Sequence, residues 1–496
     1  MRLAPRLAFG LALLLPLSGH AQGVSAESAR SIWDQLHAWI AGLLGPSIDP
    51  ALLTPKVVAQ DDHYDLSLAI PGLVGDDTAT ARLLPLDHDR WSLQAIQFPA
   101  NMHYNMRLPE PGPTPAMGST AFTLTIGSQD SHALFDPSFN SRSELSLDLH
   151  GLTSRADGPQ GRQEQHIGEL RQELSLQPNA AGSLDFNQAS TITAWSTVTQ
   201  AQGKPALDLS ADRITARGQI AGLSREQAGM LLSAASGLLA TLPAKEAAQG
   251  KAKLSPAGHT ALRQLVGSLR GIFTSMRGED DIDGLHFQAA GMAEGSIRHI
   301  HIGMGGDAPN GMLHGWLDIA FDGLSIPTLP AEMASLMPNH VVLRPSLSGV
   351  PADAVMQLAM DATAPDANQA ELTAEATTLV RKGTTVALEK IGFEVGPAVV
   401  QGTGHLTVTG PDEYAGEAHL VATGFDALID RARTDPTLQR GMAVLIMLRG
   451  YARSEGNHLV WNVEAQGGGV SVNGIPLIPP HEAGAGHPGM PRDNQK

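Results

Sequence analysis

Apolar and polar residues alternate along most of the chain, and the alternation is clearest near its end. In the stretch 457–477, Leu459, Trp461 and Val463 stand at every second position, three glycines follow, and a second alternating run closes the stretch. A period of two residues places successive side chains on opposite faces of a β-strand. The stretch therefore predicts a β-hairpin with one apolar and one polar face.

Runs of the same kind recur along the chain, separated by clusters of Gly, Pro, Asn and Asp. Successive strands without a helix between them pair antiparallel, because a parallel neighbour needs a long crossover. Polar residues on the second face of many strands are typical of a sheet with one solvated side. We predict strands over Tyr64–Ile70, Leu83–Leu86, Trp91–Phe98, Phe122–Ile126, Glu144–Leu149, Glu169–Leu176, Ile192–Val198, Ala206–Ile214, Gly284–Ile302, Leu313–Phe321, Val341–Leu347, Thr384–Phe393, Val399–Val408 and Tyr414–Ala422.

Helical periodicity is confined to fewer segments. Residues 25–44 predict an amphipathic helix with Ser25 as its N-cap, either packed on the sheet or lying in a membrane interface. Residues 224–276 predict a helical hairpin whose second helix begins at Ser255 and Pro256, and which either covers the sheet or binds a partner. Shorter helices are predicted over Leu329–Leu336, Pro351–Ala359, Glu371–Arg381, Phe425–Arg433 and Leu438–Arg449.

These elements predict an α+β fold rich in β-structure, with long curved antiparallel sheets and helical hairpins packed on one face. Arg2 and Arg6 precede an apolar run too short to span a bilayer, and Gly19 and Ala21 have the spacing of a cleavage site before Gln22, which predicts export. The predicted parts are a signal peptide (1–21), an N-terminal helix and antiparallel β-region (22–222), a helical hairpin (223–276), a C-terminal β-region with short helices (277–480) and a disordered tail (481–496).

A weak internal repeat accompanies this organisation. Gly222, Gly323 and Gly424 are spaced by 101 residues, and each follows an alternating strand. Ser224 and Asp426 stand where they can cap the helices that follow. The sequences beyond the glycines diverge, so duplication and coincidence both stay open.

Composition narrows the function classes. The 496 residues contain no cysteine, which excludes disulfides, thiolate catalysis and cysteine-type metal sites. The formal net charge of −17 argues against a nucleic-acid partner and against broad electrostatic docking on anionic lipid. After removal of the signal peptide, no apolar run is long enough to span a membrane.

Motifs that carry chemistry are absent or incomplete. The patterns Gly-x-Ser-x-Gly, Ser-x-x-Lys and His-Glu-x-x-His do not occur. His299 and His301 are two apart on a predicted strand and share a face, and His314 lies across the following loop, so the three are candidates for an open zinc site. A solvated strand face is the alternative interpretation, and we predict no metal and no cofactor.

Two further segments resemble ligand loops without completing them. Residues 279–284 are acidic at calcium-loop offsets, but Ala290 stands where an EF-hand needs Glu. A loose, exposed calcium contact is the alternative to our interpretation, which is a solvated turn after Met276. The glycine-rich residues 303–311 lack the Gly-Lys-Ser/Thr ending of a phosphate loop. We interpret them as the hairpin loop between Ile302 and Met312.

The last third of the chain carries a family resemblance. The segments ELTAEATTLVRKG, HLTVTGPDEYAGEAHLVATGFDALID and HLVWNVEAQGGGVSVNGI resemble the domain-of-unknown-function 2125 family of exported alphaproteobacterial proteins. The closing strand is also similar to AsmA-type and YdgA-type envelope proteins, whose long sheets are linked to outer-membrane upkeep. The resemblance implies a periplasmic β-rich protein and no reaction.

We therefore predict a non-enzymatic periplasmic protein that takes part in envelope maintenance or binds a lipid or other apolar ligand, with an envelope protein as a further candidate partner. A scaffolding protein without a small-molecule ligand is the alternative, and a hydrolase whose site has no sequence motif is a third hypothesis. For the fold itself, Leu459, Trp461 and Val463 are predicted core residues and Gly424 a predicted turn residue.

Overall fold

A computed structural model of the chain provides the fold. The predicted signal peptide, most of the first helix of the predicted hairpin and the predicted tail lie outside the residues that it describes. The described residues are 24–34, 55–69, 78–86, 90–109, 117–136, 141–158, 161–201, 207–224, 226, 255–268, 271, 274–289, 294–334, 336–364, 367–380, 383–410, 413–434, 441–467 and 469–478.

Strands dominate the described part of the chain, as the alternation predicts. They are β1 (Pro55–Ala59), β2 (Tyr64–Ala69), β3 (Thr78–Pro85), β4 (Trp91–Gln97), β5 (Asn101–Pro109), β6 (Met117–Thr125), β7 (Ser128–Phe135), β8 (Ser143–Gly158), β9 (Gly161–Pro178), β10 (Leu184–Ala201), β11 (Leu207–Leu223), β12 (Ser275–Ala289), β13 (Glu294–Asp307), β14 (Met312–Ser325), β15 (Pro338–Pro351), β16 (Thr384–Val395), β17 (Ala398–Gly410), β18 (Glu413–Thr423), β19 (Arg453–Glu455), β20 (His458–Gln466), β21 (Gly469–Val472) and β22 (Ile475–Ile478).

Within the described residues these 22 strands form one long antiparallel sheet. It runs from β1 through β2, β3, β4 and β7 to β8, and the β5–β6 hairpin pairs with the second half of β8. From β8 to β18 every strand pairs with its neighbour in the chain, and β20, β21 and β22 complete the sheet. Pairing of β11 with β12 joins the two predicted β-regions. The β-rich α+β class is therefore confirmed.

Helices lie between the later strands. Residues 26–34 are helical, and the other helices of the described chain are α1 (Pro256–Ser268), α2 (Ala331–Ala334), α3 (Ala352–Asp361), α4 (Gln369–Val380), α5 (Phe425–Thr434) and α6 (Met442–Tyr451). The helix α3 contacts α1, α4 and β15, whereas α5 contacts α6 and β17. At the other end of the sheet, Ala29 and Ile32 pack against Tyr64 and Trp91, so the first helix covers the sheet over its described part.

Helix starts show which capping predictions hold. The hydroxyls of Ser25 and Ser255 accept hydrogen bonds at 3.1 Å from the amides of Ser28 and Gly258, as N-caps do. The prediction for Asp426 is wrong, because α5 already begins at Phe425. The carboxylate of Asp426 instead accepts a 2.6 Å hydrogen bond from Arg449 Nε in α6, which ties the two helices together.

An apolar row crosses the sheet from β8 to β20. Each residue of this row faces the next on the neighbouring strand, and facing side chains lie on the same side of a sheet. We call this side the apolar face. The row consists of Leu149, Leu170, Ile192, Ile214, Ile282, Ile300, Phe321, Val341, Phe393, Val400, Ala422 and Leu459.

A charged row lies one residue further along the strands and points to the opposite side, the polar face. Its members alternate largely between acidic residues and Arg or His, so that opposite charges face one another across the strands. The charged row consists of His150, Glu169, Thr193, Arg213, Asp283, His299, Asp322, His340 and Glu394.

Next to the charged row, the alternation of β8 to β14 slips by one residue along a common line, which we call the crease. The crease consists of Gly151, Gly168, Ala194, Asp212, Gly284, Arg298 and Gly323. Every second member has a left-handed backbone, with φ of 62° at Gly151, 50° at Ala194, 62° at Gly284 and 68° at Gly323. Apolar-face residues on its two sides are three positions apart instead of two, as with Leu149 and Leu152, which share one core cluster.

Some predicted boundaries need correction. The predicted strand Gly284–Ile302 is two strands, β12 and β13, and residues 279–284 lie inside β12 instead of in a turn. The predicted helical hairpin ends earlier than expected, because Met276 already belongs to β12. The glycine-rich loop is shorter than predicted, since residues 303–307 extend β13.

The closing hairpin and the last two helices share one core. Leu459, Trp461 and Val463 lie on the apolar face and pack with Phe425 and Ile429 of α5. The indole N–H of Trp461 donates a 2.8 Å hydrogen bond to the carbonyl oxygen of Leu448 in α6, and its ring meets Phe425 edge-on at 5.6 Å.

Gly424 sets the start of the helix that covers this core. Its φ is 66°, and a Cβ atom there would lie 1.9 Å from the carbonyl oxygen of Pro397. Both the left-handed backbone and the close approach require glycine. Gly222 and Gly323, the other members of the weak repeat, share the left-handed conformation, each with φ of 68°.

Candidate functional site

A hollow opens in the apolar face beside the closing core. It has a volume of about 340 Å³ and lies on strands β15 to β20. Its floor is made of the small residues Gly404, Gly416, Ala418 and Ala465, and its walls of Pro345, Val386, Leu388, Leu406 and Val463. We call it the apolar hollow.

The strand register explains why the hollow forms here. One row across the sheet runs Pro345, Leu388, Gly404, Ala418, Val463, and the next runs Leu347, Val386, Leu406, Gly416, Ala465. In both rows large side chains stand on β15 and β16. Two small residues follow in each row, on β17 and β18 in the first and on β18 and β20 in the second, and Leu406 and Val463 border them. A surface made of glycine and alanine is lower than the side chains around it, so a depression results.

Close strand contacts hold the floor at glycine. A Cβ atom at Gly416 would lie 2.1 Å from the carbonyl oxygen of His405, and one at Gly404 would lie 2.7 Å from the Cβ of Ala418. Real Cβ atoms do not approach other atoms so closely, so larger residues at these two positions would displace the strands. The depression is therefore built into the backbone spacing.

The hollow is apolar and partly open to solvent. Val386 is 43% exposed and Leu347, next to it on the row, is 36% exposed. His405 and Glu417 also border the hollow, but alternation turns their side chains to the polar face, where the two residues face each other. The chemistry that this lining supports is burial of apolar surface.

The predicted histidine site is not assembled. His299 Nδ1 lies 2.8 Å from a carboxylate oxygen of Asp283, and His301 Nδ1 lies 2.7 Å from one of Asp281. His314 faces Asp307, six residues along β13 from His301. At about 3.3 Å per residue, His314 is about 20 Å from His301, too far for a shared ion.

The sequence pattern predicts a turn at Asp281 and Asp283, so it does not predict the carboxylates beside these histidines. The two residues lie on β12 and face His301 and His299 on β13. The signal was present in the sequence, because two acidic and two His residues share the same spacing of two. No group of three or more His, Asp or Glu side chains in the described chain is arranged to hold a metal ion.

The glycine-rich segment has a packing role. Trp316 of β14 faces Gly305, and a Cβ atom at Gly305 or Gly303 would lie 2.7 Å or 3.1 Å from its indole ring. The guanidinium of Arg277 lies 5.7 Å from the centre of the same ring. Glycine at alternate positions therefore makes room for a large ring on the polar face.

A second cavity, of about 580 Å³, lies on strands β15 to β18 and is lined by polar-face residues that include His340, Lys390 and His419. The Nδ1 atom of His340 is hydrogen-bonded to Asp322, and that of His419 lies 2.7 Å from the side-chain oxygen of Asn462. Both imidazoles are thus held by neighbours in the sheet, as expected on a solvated face.

Fold and site define the class as a β-rich α+β protein with a long antiparallel sheet and an apolar hollow near one end. Comparisons with protein-family models, curated proteins and solved structures found no match. The family resemblance of the last third therefore stays a prediction. Among the helices that the structure describes, none is both long and apolar enough to cross a membrane.

Proposed function

We propose that the protein is a non-enzymatic periplasmic protein that binds a lipid acyl chain, or a ligand of the same apolar character, in the apolar hollow. The observation that carries the proposal is an open depression of about 340 Å³ with a glycine and alanine floor and aliphatic walls. That volume falls in the range of about 300–1,000 Å³ that is typical of small-molecule sites.

Energetics favour a flexible apolar ligand. Burying apolar surface stabilises a complex by about 25 cal/mol per Å², and no buried polar group of the ligand needs a partner here. A polar ligand would leave its hydrogen-bonding groups unsatisfied against the aliphatic walls. The hollow therefore selects for alkyl groups, and a headgroup would remain in solvent.

The predicted signal peptide supports a location outside the cytoplasm. Sequencing the N-terminus of the protein recovered from the periplasm tests this part, with Gln22 expected as the first residue. A full-length product that stays in the cytoplasm would contradict it.

Ligand binding is tested with a matched pair of variants. Ala465→Phe places a ring in the hollow. Ala415→Phe places the same ring on the polar face, at an exposed position of β18 next to Gly416 in the sequence. We expect the wild type and Ala415→Phe to take up a fluorescent fatty acid, and Ala465→Phe to bind it at least about tenfold more weakly.

Mass spectrometry of the purified protein after mild delipidation provides a second readout. We expect a co-purified lipid in the wild type and its loss in Ala465→Phe. A ligand-free wild type that also fails to take up the fatty acid would refute the proposal and favour the scaffolding alternative. Equal uptake by both variants would place the ligand elsewhere.

A further inference from the structure

The second cavity on strands β15 to β18, of about 580 Å³, opens on the polar face, and we call it the polar hollow. It lies on strands that also form the apolar hollow, but on the opposite side of the sheet. Its volume falls in the range of about 300–1,000 Å³ that is typical of small-molecule sites. Three rows of facing residues make up its lining, and each row offers a different chemistry to a ligand.

The first row offers hydrogen-bond acceptors. His340 on β15 faces Glu394 on β16. The Nδ1 atom of His340 is hydrogen-bonded to the carboxylate of Asp322, so it carries the ring proton, and Nε2 of the neutral ring is an acceptor. Glu394 is half-buried, and within the described chain it has no ion-pair or side-chain hydrogen-bond partner. This end of the hollow therefore suits a cationic group with several donor hydrogens.

The third row offers hydrogen-bond donors. Lys390 is exposed on β16, and Thr403 on β17 lies opposite the bulge to which Lys390 belongs. The neighbouring guanidinium of Arg344 on β15 is engaged with Asp318. No carboxylate of the residues that the structure describes, including that of Glu389, lies within ion-pairing distance of Lys390. The ammonium of Lys390 and the hydroxyl of Thr403 are therefore free to bind a carboxylate.

The middle row is mostly aliphatic. It runs across four strands as Val342, Gly392, Gln401 and Val421. A Cβ atom at Gly392 would lie 2.9 Å from Cγ1 of Val342, so glycine leaves room for the valine and keeps the floor low. The amide of Gln401 is exposed and can both donate and accept hydrogen bonds. A ligand that crosses this row meets two valines and one amide.

The spacing of the two charged residues sets the length of the ligand. Lys390 and Glu394 are four residues apart on the same face of β16, which corresponds to about 13 Å at about 3.3 Å per residue. A single amino acid carries its two charges too close together to reach both. An extended chain of three residues spans about 10 Å, and the side chains of Lys390 and Glu394 cover the rest. A fatty acid has only one charged end and leaves Glu394 without a partner.

We propose that the polar hollow binds a short peptide of about three residues through both of its free termini. The ammonium group of the peptide lies at Glu394 and His340, its carboxylate lies at Lys390 and Thr403, and its peptide groups pass Gln401. Small aliphatic side chains of the peptide contact the valines of the middle row. The proposal uses the opposite face of the sheet from the apolar hollow, so either can fail without the other.

Isothermal titration calorimetry of the mature protein with the peptide Ala-Val-Ala tests the proposal. We expect the peptide with two free termini to bind. Acetylation of its N-terminus or amidation of its C-terminus removes one charge, and each should weaken binding at least about tenfold. The free amino acid valine should also bind at least about tenfold more weakly, because it cannot reach both ends of the polar hollow.

Two variants assign each terminus of the peptide to its partner. Glu394→Gln should weaken binding of the free peptide about tenfold, but should not weaken binding of the acetylated peptide, which lacks the ammonium group. Lys390→Gln should behave in the same way toward the free and the amidated peptide. A residue that only stabilises the strand would change the binding of all three peptides equally.

Two further variants serve as controls. Glu464→Gln removes a carboxylate from an exposed polar-face position of β20 outside the polar hollow, and it should bind the peptide like the wild type. Ala465→Phe, which fills the apolar hollow, should also bind the peptide like the wild type. Because the same variant should lose fatty acid uptake, the two proposals are tested separately.

Four results would overturn the proposal. The wild type does not bind Ala-Val-Ala, or both capped peptides bind as tightly as the free one, or Glu464→Gln weakens binding as much as Glu394→Gln does. In the fourth, the wild type binds a fatty acid but no peptide, and Lys390→Gln loses the fatty acid. That result would assign the polar hollow to a ligand with a single anionic group.

Discussion

Replacing Trp461 with alanine removes the largest side chain from the closing core. The indole is 7% exposed, lies edge-on to Phe425 at 5.6 Å, and donates a 2.8 Å hydrogen bond to the carbonyl oxygen of Leu448. The core around it is made of residues from α5, α6 and five strands, so they cannot all collapse into the space that it leaves. The loss therefore combines transfer, cavity and hydrogen-bond contributions.

The magnitude follows from these contacts. A buried tryptophan removes about 200 Å² from water, which at about 25 cal/mol per Å² amounts to about 5 kcal/mol as an upper estimate. The alanine retains part of that burial, and the Leu448 carbonyl near the end of α6 regains water. We expect Trp461→Ala to lower the free energy of unfolding by about 3–5 kcal/mol. That is a large fraction of the stability of a typical protein.

Asn462→Ala is the matched control. Asn462 is exposed on the polar face, and its side-chain oxygen lies 2.7 Å from His419 Nδ1. Loss of one exposed hydrogen bond should cost about 0.5–1 kcal/mol. Urea unfolding of both variants measures the difference as a shift of midpoint at constant slope. Equal, small losses would show that Trp461 does not hold the helices on the sheet, and would refute the assignment of faces from the alternation.

Three further predictions concern single contacts. Gly424→Ala combines a left-handed backbone with a carbonyl oxygen only 1.9 Å from the new Cβ, so we expect a loss of about 2–3 kcal/mol in urea unfolding; a neutral result would contradict the close approach. Arg344→Ala removes the hydrogen-bond partner of Asp318, which is 5% exposed, and should cost about 1–3 kcal/mol in the same assay, whereas a cost within 0.5 kcal/mol would mean that water satisfies the carboxylate. The hydrogen bond to Asp62 raises the pKa of His63. The contribution of this pair to stability is therefore present at acid pH, below the unfolded pKa, and is lost as pH rises through the folded pKa. NMR titration should show that the His63 pKa falls in Asp62→Asn, and an unchanged value would exclude the pair as the cause.

Prediction from the sequence succeeded where the alternation runs undisturbed. The strands β17, β18 and β20 match the predicted ranges within a few residues, because their apolar-face side chains keep one phase along the predicted strand. The strand β16 was also predicted, although its alternation slips by one residue between Leu388 and Ile391. The helix α5 was also predicted, since its apolar residues recur at helical spacing and a glycine precedes it. In this part of the chain, local pattern and tertiary burial agree.

The longest strands were predicted too short, and at β8 and β9 the predicted ranges end at the crease. The predicted strand Glu144–Leu149 stops two residues before Gly151, and Glu169–Leu176 starts one residue after Gly168. A one-residue slip interrupts a period of two, so a search for strict alternation ends there. Pairing with the neighbouring strand shows that each strand continues beyond the slip. The sequence of one strand by itself does not show this.

The apolar hollow was missed for a related reason. Gly404, Gly416, Ala418 and Ala465 occupy apolar-face positions of strands that were predicted correctly. Their small size becomes a depression only when the register places them side by side. Small residues at inward positions of consecutive predicted strands were the available signal.

The crease also fixes how strands β8 to β14 are aligned with one another. An antiparallel sheet of many similar alternating strands can slide by two residues and still match apolar with apolar, so alternation alone specifies alignment poorly. If one of the strands β9 to β13 slid by two residues, its slip would no longer line up with the slips of its two neighbours. Between the old and the new position of the slip, its charged side chains would point to the apolar face. Deleting Gly284 alone would invert the far half of β12 in the same way. An insertion or deletion at the crease must therefore be accompanied by the same change on the adjoining strands. The length of these strands can vary only if all strands that carry the crease change together.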